Sequence, residues 1–317
     1  MILVTGVAGF IGFHVAKVLC ENNAEVVGID NVCNYYDPSL KRARLDQLKD
    51  FDRFHFYEAD ICDYTFLNSL FQKHPIAKVC HLAAQAGVRY SLTHPFAYQK
   101  SNNEGFLNII ECARHHHIEN FVFASSSSVY GSNKKMPFSE SDRVDTPVSL
   151  YAATKRSNEL VAHCYSHLYN LPCSGLRFFT VYGPWGRPDM ALFLFTRAIL
   201  EGKPIDVYNN GNMRRNFTYI DDIVKGVLLT LNTSAAYEIY NIGNSRAENL
   251  LDFIHEIECN CDKKAIMNFL PMQPGDVPET VADITKLRKL GYDPATNIDE
   301  GVKRFVEWYR GYYTETF

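Results

Sequence analysis

The sequence lacks a strong excess of charge of either sign. Its 317 residues include 32 basic and 36 acidic side chains, which gives a formal net charge of -4. A chain with so little excess charge has no broad cationic field for nucleic acid or anionic lipid, so any phosphate group must be bound by a few local residues. We therefore predict no nucleic-acid partner.

Long apolar runs are also absent. The apolar start of the chain is interrupted by Gly6, Gly9 and Gly12 and has no preceding basic residue, unlike a signal peptide. No other stretch reaches about 18 uninterrupted apolar residues, the length that a membrane-spanning helix needs. We therefore predict that no part of the chain spans a membrane.

The nine cysteines are odd in number and contain no C-x-x-C pair. This pattern favours neither a disulfide framework nor a zinc finger, and it predicts a reducing, cytoplasmic location. Cys259 and Cys261 together with the histidines at 115–117 form the one combination that resembles a set of metal ligands. They are far apart in sequence and lack further ligand spacing, so no metal site is predicted.

The first half of the sequence alternates short β-rich runs with helical patterns. The predicted strands are residues 2–4, 25–29, 54–58, 78–82, 121–124 and 174–178. The predicted helices are residues 11–20, 65–72, 95–114 and 150–169. Such alternation is typical of parallel strands joined by right-handed crossovers. The predicted fold class is α/β, with a doubly wound parallel sheet of the Rossmann type and a smaller C-terminal lobe.

The pattern of the sequence changes after residue 178, where glycines and prolines such as Gly183, Pro184 and Pro188 break the repeat. We predict a dinucleotide-binding domain over residues 1–178, with about 212–243 returning to it. Residues 179–317 are predicted to form the substrate-binding lobe.

A glycine-rich turn, TGVAGFIG at residues 5–12, ends the first predicted strand and opens the first predicted helix. Glycine permits a tight turn and lets the backbone approach a pyrophosphate, which the helix N-terminus then faces. The predicted cofactor-binding residues of this turn are Gly6, Gly9, Phe10, Ile11 and Gly12. A simple packing turn remains the alternative, because it uses the same residue types.

Asp30 ends the second predicted strand, 18 residues after Gly12. A carboxylate there accepts hydrogen bonds from the adenine ribose and repels a 2′-phosphate, which favours NAD over NADP. A helix-capping aspartate is the alternative. Asp60 and Ile61 follow the third strand and are predicted to lie near the adenine. The fourth strand is followed by small residues that allow close approach of a dinucleotide, in the segment Leu82, Ala83 and Ala84.

Tyr151 and Lys155 are four residues apart at the start of a predicted helix, so their side chains project from one face. We predict that Lys155 lowers the pKa of Tyr151, so that a phenolate takes a proton from a sugar hydroxyl. A surface helix is the alternative for this common spacing. Four serines at 125–128 follow the fifth strand, at the sheet edge where α/β proteins bind ligands. They predict a hydroxyl-lined pocket, with a flexible linker as the alternative.

The glycine turn, Asp30, the serine run and the Tyr151/Lys155 pair, in this order, resemble the extended short-chain dehydrogenase/reductase family over about 180 residues. The resemblance implies NAD as cofactor, Ser126 as the catalytic hydroxyl, Tyr151 as the acid/base and Lys155 as its electrostatic partner. Asn102 matches a family asparagine near the active site, with a helix cap as the alternative. The helices near 95–114 and 150–169 resemble the pair through which this family dimerises, which implies a homodimer.

Ser128 stands directly before Val129-Tyr130-Gly131, where family members that dehydrate or decarboxylate a nucleotide sugar usually have an acidic residue. This difference favours epimerisation. Longer motifs resemble bacterial UDP-glucuronate 4-epimerases, at residues 83–91, 125–131, 177–190 and 272–278. The resemblance implies a UDP-sugar substrate, with UDP-glucuronate and UDP-galacturonate interconverted through a 4-keto intermediate. The alternatives are a UDP-glucose 4-epimerase, a UDP-glucuronate decarboxylase and a non-catalytic NAD-binding regulator.

A uronate substrate presents a carboxylate, which needs a cation or hydrogen-bond donors. Arg187 is the predicted partner, because a guanidinium binds a carboxylate with two parallel hydrogen bonds. A surface arginine in a Pro/Gly loop is the alternative, with Ser127 and Ser128 as other donors to the carboxylate. The resemblance further implies that Arg215 meets the UDP pyrophosphate and that Asp276 touches the nucleotide ribose.

Overall fold

The computed structural model describes residues 1–273 and 277–314. Its strands are β1 (Ile2–Thr5), β2 (Val26–Asp30), β3 (Phe54–Glu58), β4 (Lys78–His81), β5 (Asn120–Ser126), β6 (Cys173–Phe178), β7 (Thr180–Tyr182), β8 (Pro204–Val207), β9 (Arg214–Arg215), β10 (Phe217–Tyr219), β11 (Tyr237–Ile242), β12 (Glu248–Asn249) and β13 (Ile266–Phe269).

The helices connect and cover these strands. They are α1 (Phe10–Glu21), α2 (Pro38–Lys49), α3 (Tyr64–Lys73), α4 (Tyr90–Thr93), α5 (Pro95–Tyr98), α6 (Gly105–His115), α7 (Leu150–Tyr169), α8 (Ala191–Glu201), α9 (Ile220–Asn232), α10 (Leu250–Cys261), α11 (Thr285–Arg288) and α12 (Ile298–Thr314). Within the described ranges, none of them is long and apolar enough to cross a membrane.

Seven parallel strands form the central sheet in the order β11-β6-β5-β4-β1-β2-β3. The chain starts in the middle at β1, moves outward through β2 and β3, and then crosses back to β4 on the other side. The connections after β1 and β4 therefore run in opposite directions along the sheet, which leaves a crevice at the carboxyl ends of these strands, the place where open α/β sheets bind ligands. The predicted Rossmann-type sheet is confirmed.

Strand β11 returns the chain to this sheet. It pairs with β6 from Tyr237 opposite Cys173 to Ile242 opposite Phe178. Helix α9, which precedes it, packs against α1. The chain therefore leaves the sheet after residue 178 and rejoins it at residue 237, while the proposed lobe boundaries stay a prediction.

Three two-stranded pairings lie outside the central sheet: β7 with β10, β8 with β13, and β9 with β12. Helix α10 packs against both α8 and α12. Aromatic side chains fill the space between these elements. The rings of Phe217 and Phe253 stack with centroids 4.0 Å apart, and Phe193 meets Phe305 edge to face. This apolar cluster supports the loop that carries residues 183–190.

Among the helices that differ from the sequence-based prediction, two lie before β5 and adjoin the glycine turn or the loop after β4. The helix predicted at 95–114 is divided into α5, a π-helical segment at Gln99–Glu104, and α6. Such π-helical turns are rare and are frequently found at functional sites. Helix α2 was not predicted, although Asp37 and Pro38 are typical of a helix start. The Asp37 carboxylate accepts a hydrogen bond from the Ser39 amide at 2.9 Å, and Pro38 occupies the first turn.

The glycine turn provides a test of the close packing between β1 and β4. A Cβ atom on Gly6 would lie 2.7 Å from the Ala83 backbone nitrogen, at a φ of +73°. Gly202 has a similar φ of +68°, but its added Cβ would meet open space. The left-handed backbone should lower the free energy of unfolding of both alanine variants by about 1 kcal/mol. Only Gly6→Ala should lose a further amount of about 1–3 kcal/mol through overpacking.

We therefore expect Gly6→Ala to lower the free energy of unfolding more than Gly202→Ala does, as measured by urea denaturation. Equal losses in the two variants would contradict the close contact between the glycine turn and the segment after β4.

Candidate functional site

A cleft of about 280 Å³ opens at the carboxyl ends of the central strands. Most of the predicted cofactor-binding residues lie in its wall: Gly6, Gly9, Phe10, Ile11, Gly12, Asp30, Asp60, Ile61, Leu82, Ala83 and Ala84. The predicted residues Ser126, Tyr151, Lys155 and Arg187 line the same cleft. The structure thus brings the dinucleotide turn and the candidate catalytic residues into one cavity.

The glycine turn presents backbone instead of side chains to this cleft. The Gly6 amide donates to the Ile29 carbonyl oxygen at 2.8 Å, and a Cβ on Gly12 would lie 2.1 Å from the Gly6 oxygen. Helix α1 begins after Gly9 without a side-chain cap, so its first amide groups are available to an anion. This arrangement fits the pyrophosphate of a dinucleotide.

Asp30 joins the loops that follow β1 and β2, and it also lines the cleft. Its two carboxylate oxygens accept hydrogen bonds from the amides of Ala8 at 3.0 Å and Val32 at 2.8 Å. Burial raises the pKa of Asp30, and the charge of Lys41 opposes that shift. The carboxylate lies at the end of β2, where the adenine ribose of NAD would meet it.

Ser126 and Tyr151 meet across the cleft from two different elements. Ser126 is the last residue of β5, and its hydroxyl lies close enough to the phenol of Tyr151, near the start of α7, to influence the pKa of that phenol. Ser149 caps that helix by accepting from the Ala152 amide at 3.1 Å. Lys155, one turn after Tyr151, donates from Nζ to the Ala124 carbonyl oxygen at 2.8 Å. The predicted trio is therefore assembled at one place.

Burial dominates the electrostatics of this trio. Burial raises the pKa of Tyr151, and the hydrogen bond with Ser126 and the charge of Arg187 oppose that shift. Burial also lowers the pKa of Lys155 to about 8. Burial thus outweighs the charges that act on the phenol here, and the Lys155 ammonium group is bound to Ala124, so the lowering of the Tyr151 pKa by Lys155 stays a prediction. Arg187 is the cation whose charge acts on the phenol.

Asn102 shapes the cleft from behind its wall. Its side-chain oxygen accepts from the Gln85 amide at 2.8 Å, and its nitrogen donates to the Gln85 carbonyl oxygen at 3.0 Å. It lies in the π-helical segment and is buried. The Asn102 side chain thus holds the loop that follows β4, and it is not a helix cap.

Tyr98 supports the same loop and was not singled out from the sequence. Its hydroxyl donates to the Ala86 carbonyl oxygen at 2.9 Å and also contacts the carbonyl of Gly87. Its ring packs edge to face against the ring of Tyr151, with centroids 6.0 Å apart. This contact restricts the orientation of the phenol.

Arg187 lies in the wall of the cleft and not on an open surface. Its Nε and Nη2 atoms donate to the two carboxylate oxygens of Asp189 at 3.0 and 2.6 Å. The same carboxylate accepts from the hydroxyl of Tyr35 at 3.0 Å. A guanidinium carries five N–H donors, so this pairing fixes its plane and uses only part of its capacity.

Sequence reasoning also missed the segment that precedes and opens α2. Its side chains Tyr35, Tyr36 and Lys41 line the cleft, and Arg44 is fully buried beside them. The Arg44 Nη1 atom donates to the Ala8 carbonyl oxygen in the glycine turn at 2.8 Å. The available signal was the density of aromatic and basic residues around the Asp37-Pro38 helix start.

Four other predicted residues are not placed in the cleft wall by the described structure. Ser127 and Ser128 begin a 3-10 helix directly after β5. Arg215 lies in β9, and its Nη1 donates to the carbonyl oxygens of Arg214 and Pro278, both at 3.1 Å. Asp276 lies outside the described residues. The substrate-binding roles of these four residues stay predictions.

Comparison with known proteins agrees with this geometry. The model of the NAD dependent epimerase/dehydratase family matches residues 2–243. UDP-glucuronate 4-epimerase 1 of Arabidopsis thaliana is 49% identical, over 98% of this chain and 77% of that protein.

Solved structures of two epimerases are also similar to this chain. The UDP-glucuronic acid 4-epimerase from Bacillus cereus, in complex with UDP-glucuronic acid and NAD, matches with a TM-score of 0.93 and 37% identity over 98% of this chain and 99% of that one. The UDP-glucose 4-epimerase from Thermotoga maritima, with UDP-glucose, matches with a TM-score of 0.88 and 31% identity over the same shares. The chain therefore belongs to the NAD-dependent epimerase/dehydratase family.

Proposed function

We propose that this protein is an NAD-dependent UDP-glucuronate 4-epimerase, which interconverts UDP-glucuronate and UDP-galacturonate through a 4-keto intermediate. The observation that carries the proposal is the cleft itself, where Ser126, Tyr151 and Arg187 adjoin the dinucleotide turn. The Arabidopsis and Bacillus cereus relatives support the same activity.

The residues of the cleft fit the cofactor. The side-chain-free turn at Gly6, Gly9 and Gly12 would hold the pyrophosphate, and the Asp30 carboxylate would accept from the adenine ribose and repel a 2′-phosphate. When bound there, NAD supplies a hydride acceptor for C4 of the sugar and then the donor that returns the hydride.

Tyr151 and Ser126 carry the proton chemistry. Tyr151 removes the proton of the C4 hydroxyl as the sugar is oxidised, and Ser126, which lies beside Tyr151 in the cleft wall, stabilises the same oxygen. Tyr151 returns the proton when the ketone is reduced. Because burial raises the pKa of Tyr151, the phenolate needs nearby positive charge, which Arg187 and the adjacent Lys155 supply.

Arg187 distinguishes a uronate from a neutral sugar. Inversion at C4 requires the 4-keto sugar to present its other face before it is reduced. During that time the C6 carboxylate is part of a β-keto acid, which loses carbon dioxide if its C–C bond aligns with the carbonyl π system. A guanidinium on the carboxylate restrains that bond and provides binding energy for the acid group.

The proposed activity can be tested by a proton NMR time course of the pure protein with NAD and UDP-glucuronate. We expect signals of UDP-galacturonate to appear, and we expect Tyr151→Phe to lower kcat by roughly 10²- to 10⁴-fold, the usual contribution of an acid/base residue. Tyr165→Phe is the matched control, since Tyr165 lies on the same helix and binds Glu111 instead.

Three results would overturn the proposal. Unaltered UDP-glucuronate would exclude the reaction, and carbon dioxide with UDP-pentose as the main product would identify a decarboxylase. Faster turnover of UDP-glucose than of UDP-glucuronate would identify a neutral-sugar epimerase.

Arg187→Ala tests the carboxylate restraint. Hydrogen bonds to charged groups contribute about 1.5–3 kcal/mol, so we expect KM for UDP-glucuronate to rise roughly tenfold or more. Some turnovers should also release carbon dioxide and UDP-pentose. Arg187→Lys keeps the charge, so we expect it to show a smaller rise in KM and less carbon dioxide release than Arg187→Ala. Unchanged KM without carbon dioxide release in Arg187→Ala would reject this role.

We also propose a homodimer and a cytoplasmic location. Exposed apolar side chains on α4 to α7 support a homodimer, and they include Leu92, Phe96, Leu107, Leu160 and Leu168. Each of the nine cysteines lies in the described part of the chain and is an unpaired thiol, which supports a reducing compartment.

The homodimer can be tested by size-exclusion chromatography with light scattering. We expect a molecular mass twice the chain mass of 36.2 kDa, and we expect Leu160→Glu to lower the measured mass toward that of one chain.

A further inference from the structure

Tyr35 lines the cleft and is linked to Arg187 through Asp189. Its hydroxyl donates to Asp189 Oδ2 at 3.0 Å, and the Asp189 carboxylate accepts two hydrogen bonds from Arg187. The ring of Tyr35 also lies 6.0 Å from the Arg187 guanidinium. The carboxylate of Asp189 is therefore held from both sides, and any change at Tyr35 reaches Arg187.

The fold reserves space for the Tyr35 hydroxyl. Gly87 has a φ of +99°, and a Cβ atom added there would lie 2.8 Å from the Tyr35 oxygen. The ring packs edge to face against Tyr90, with centroids 4.8 Å apart. Burial raises the pKa of Tyr35 to about 12, so its hydroxyl remains a hydrogen-bond donor at neutral pH. The donor is thus fixed in position and in protonation state.

A second contact ties the same segment to the backbone just before Arg187. The buried Arg44 donates from Nε and Nη2 to the Trp185 carbonyl oxygen at 3.1 and 2.6 Å, and from Nη2 to Gly186. Trp185 has a φ of +61°, a left-handed conformation that costs a non-glycine residue energy and persists only where the surroundings enforce it. Arg44 provides that enforcement.

We propose that Tyr35 is a positioning residue for recognition of the substrate carboxylate: it fixes Asp189, and Asp189 fixes the plane of Arg187. The segment from Tyr35 to Arg44 thereby determines whether the cleft accepts a uronate and retains its carboxylate. This inference rests on the proposed function, because it concerns the group that Arg187 binds.

Tyr35→Phe removes the donor and keeps the ring. We expect KM for UDP-glucuronate to rise roughly three- to tenfold, which is less than for Arg187→Ala because Tyr35 acts on the carboxylate only through Asp189 and Arg187, with a smaller change in kcat. The fraction of turnovers that release carbon dioxide should also increase. Tyr90→Phe is the matched control, since it removes a neighbouring phenol oxygen that has no bond to Asp189, and it should retain the wild-type KM and product ratio.

Asp189→Asn supplies a second variant and a double-mutant cycle. It should raise KM and carbon dioxide release in the same way. In the Asp189→Asn background, Tyr35→Phe should raise KM by less than a further twofold. Fully additive effects would overturn the positioning role, because they would mean that Tyr35 acts on the substrate independently of Asp189. Wild-type kinetics and product ratio in Tyr35→Phe would overturn it as well.

These outcomes are separate from failure of the proposed function. If the wild-type protein made no UDP-galacturonate, the proposed function would fall and the positioning role with it. If the wild type epimerised UDP-glucuronate normally and Tyr35→Phe behaved identically, only the positioning role would fall.

Discussion

A buried ion pair between Glu159 and Arg177 joins the helix of Tyr151 and Lys155 to the strands beside it. Glu159 accepts from Arg177 at 2.8 and 2.9 Å and from the hydroxyl of Ser125 at 2.6 Å. Although burial alone would raise the pKa of Glu159, the Arg177 charge and these hydrogen bonds keep it below its usual range. Removing one partner of such a pair generally costs about 3–5 kcal/mol, because the other charge is left buried. The alignment of α7 with β5, and so of Tyr151 with Ser126, depends on this pair.

The opposite wall of the cleft is held by a separate set of contacts. Arg44 connects the glycine turn to the backbone before Arg187, and Tyr35 holds the carboxylate that Arg187 binds. The acid/base side is thus anchored within the central sheet, while the carboxylate side is anchored by α2 and the loop after β7. Two independent anchors allow one scaffold to keep its proton chemistry while the group that recognises the sugar changes.

The parts of the site that depend on local spacing could be predicted from the sequence. The glycine turn occupies one strand-turn-helix unit, and Tyr151 and Lys155 share one helix face, so their placement follows from the pattern alone. Tyr35 and Arg44 were missed because their partners lie 154 and 141 positions away in the chain. The effect of burial on the pKa of Tyr151 was not predicted, because spacing shows which charges are near a group and not how deeply it is buried.

The pairing of β11 with β6 limits how this architecture can be divided. A chain that ended at residue 178 would leave β6 as an exposed edge, with a row of unsatisfied backbone groups that invites association with other chains. The central sheet is therefore built from two stretches that are separated in sequence by residues 179–236. In evolution, or in the laboratory, grafting a new sugar-recognition region onto this sheet requires replacing two stretches at once while the intervening α9 and β11 remain in place. Recombination at a single crossover point would produce an incomplete sheet.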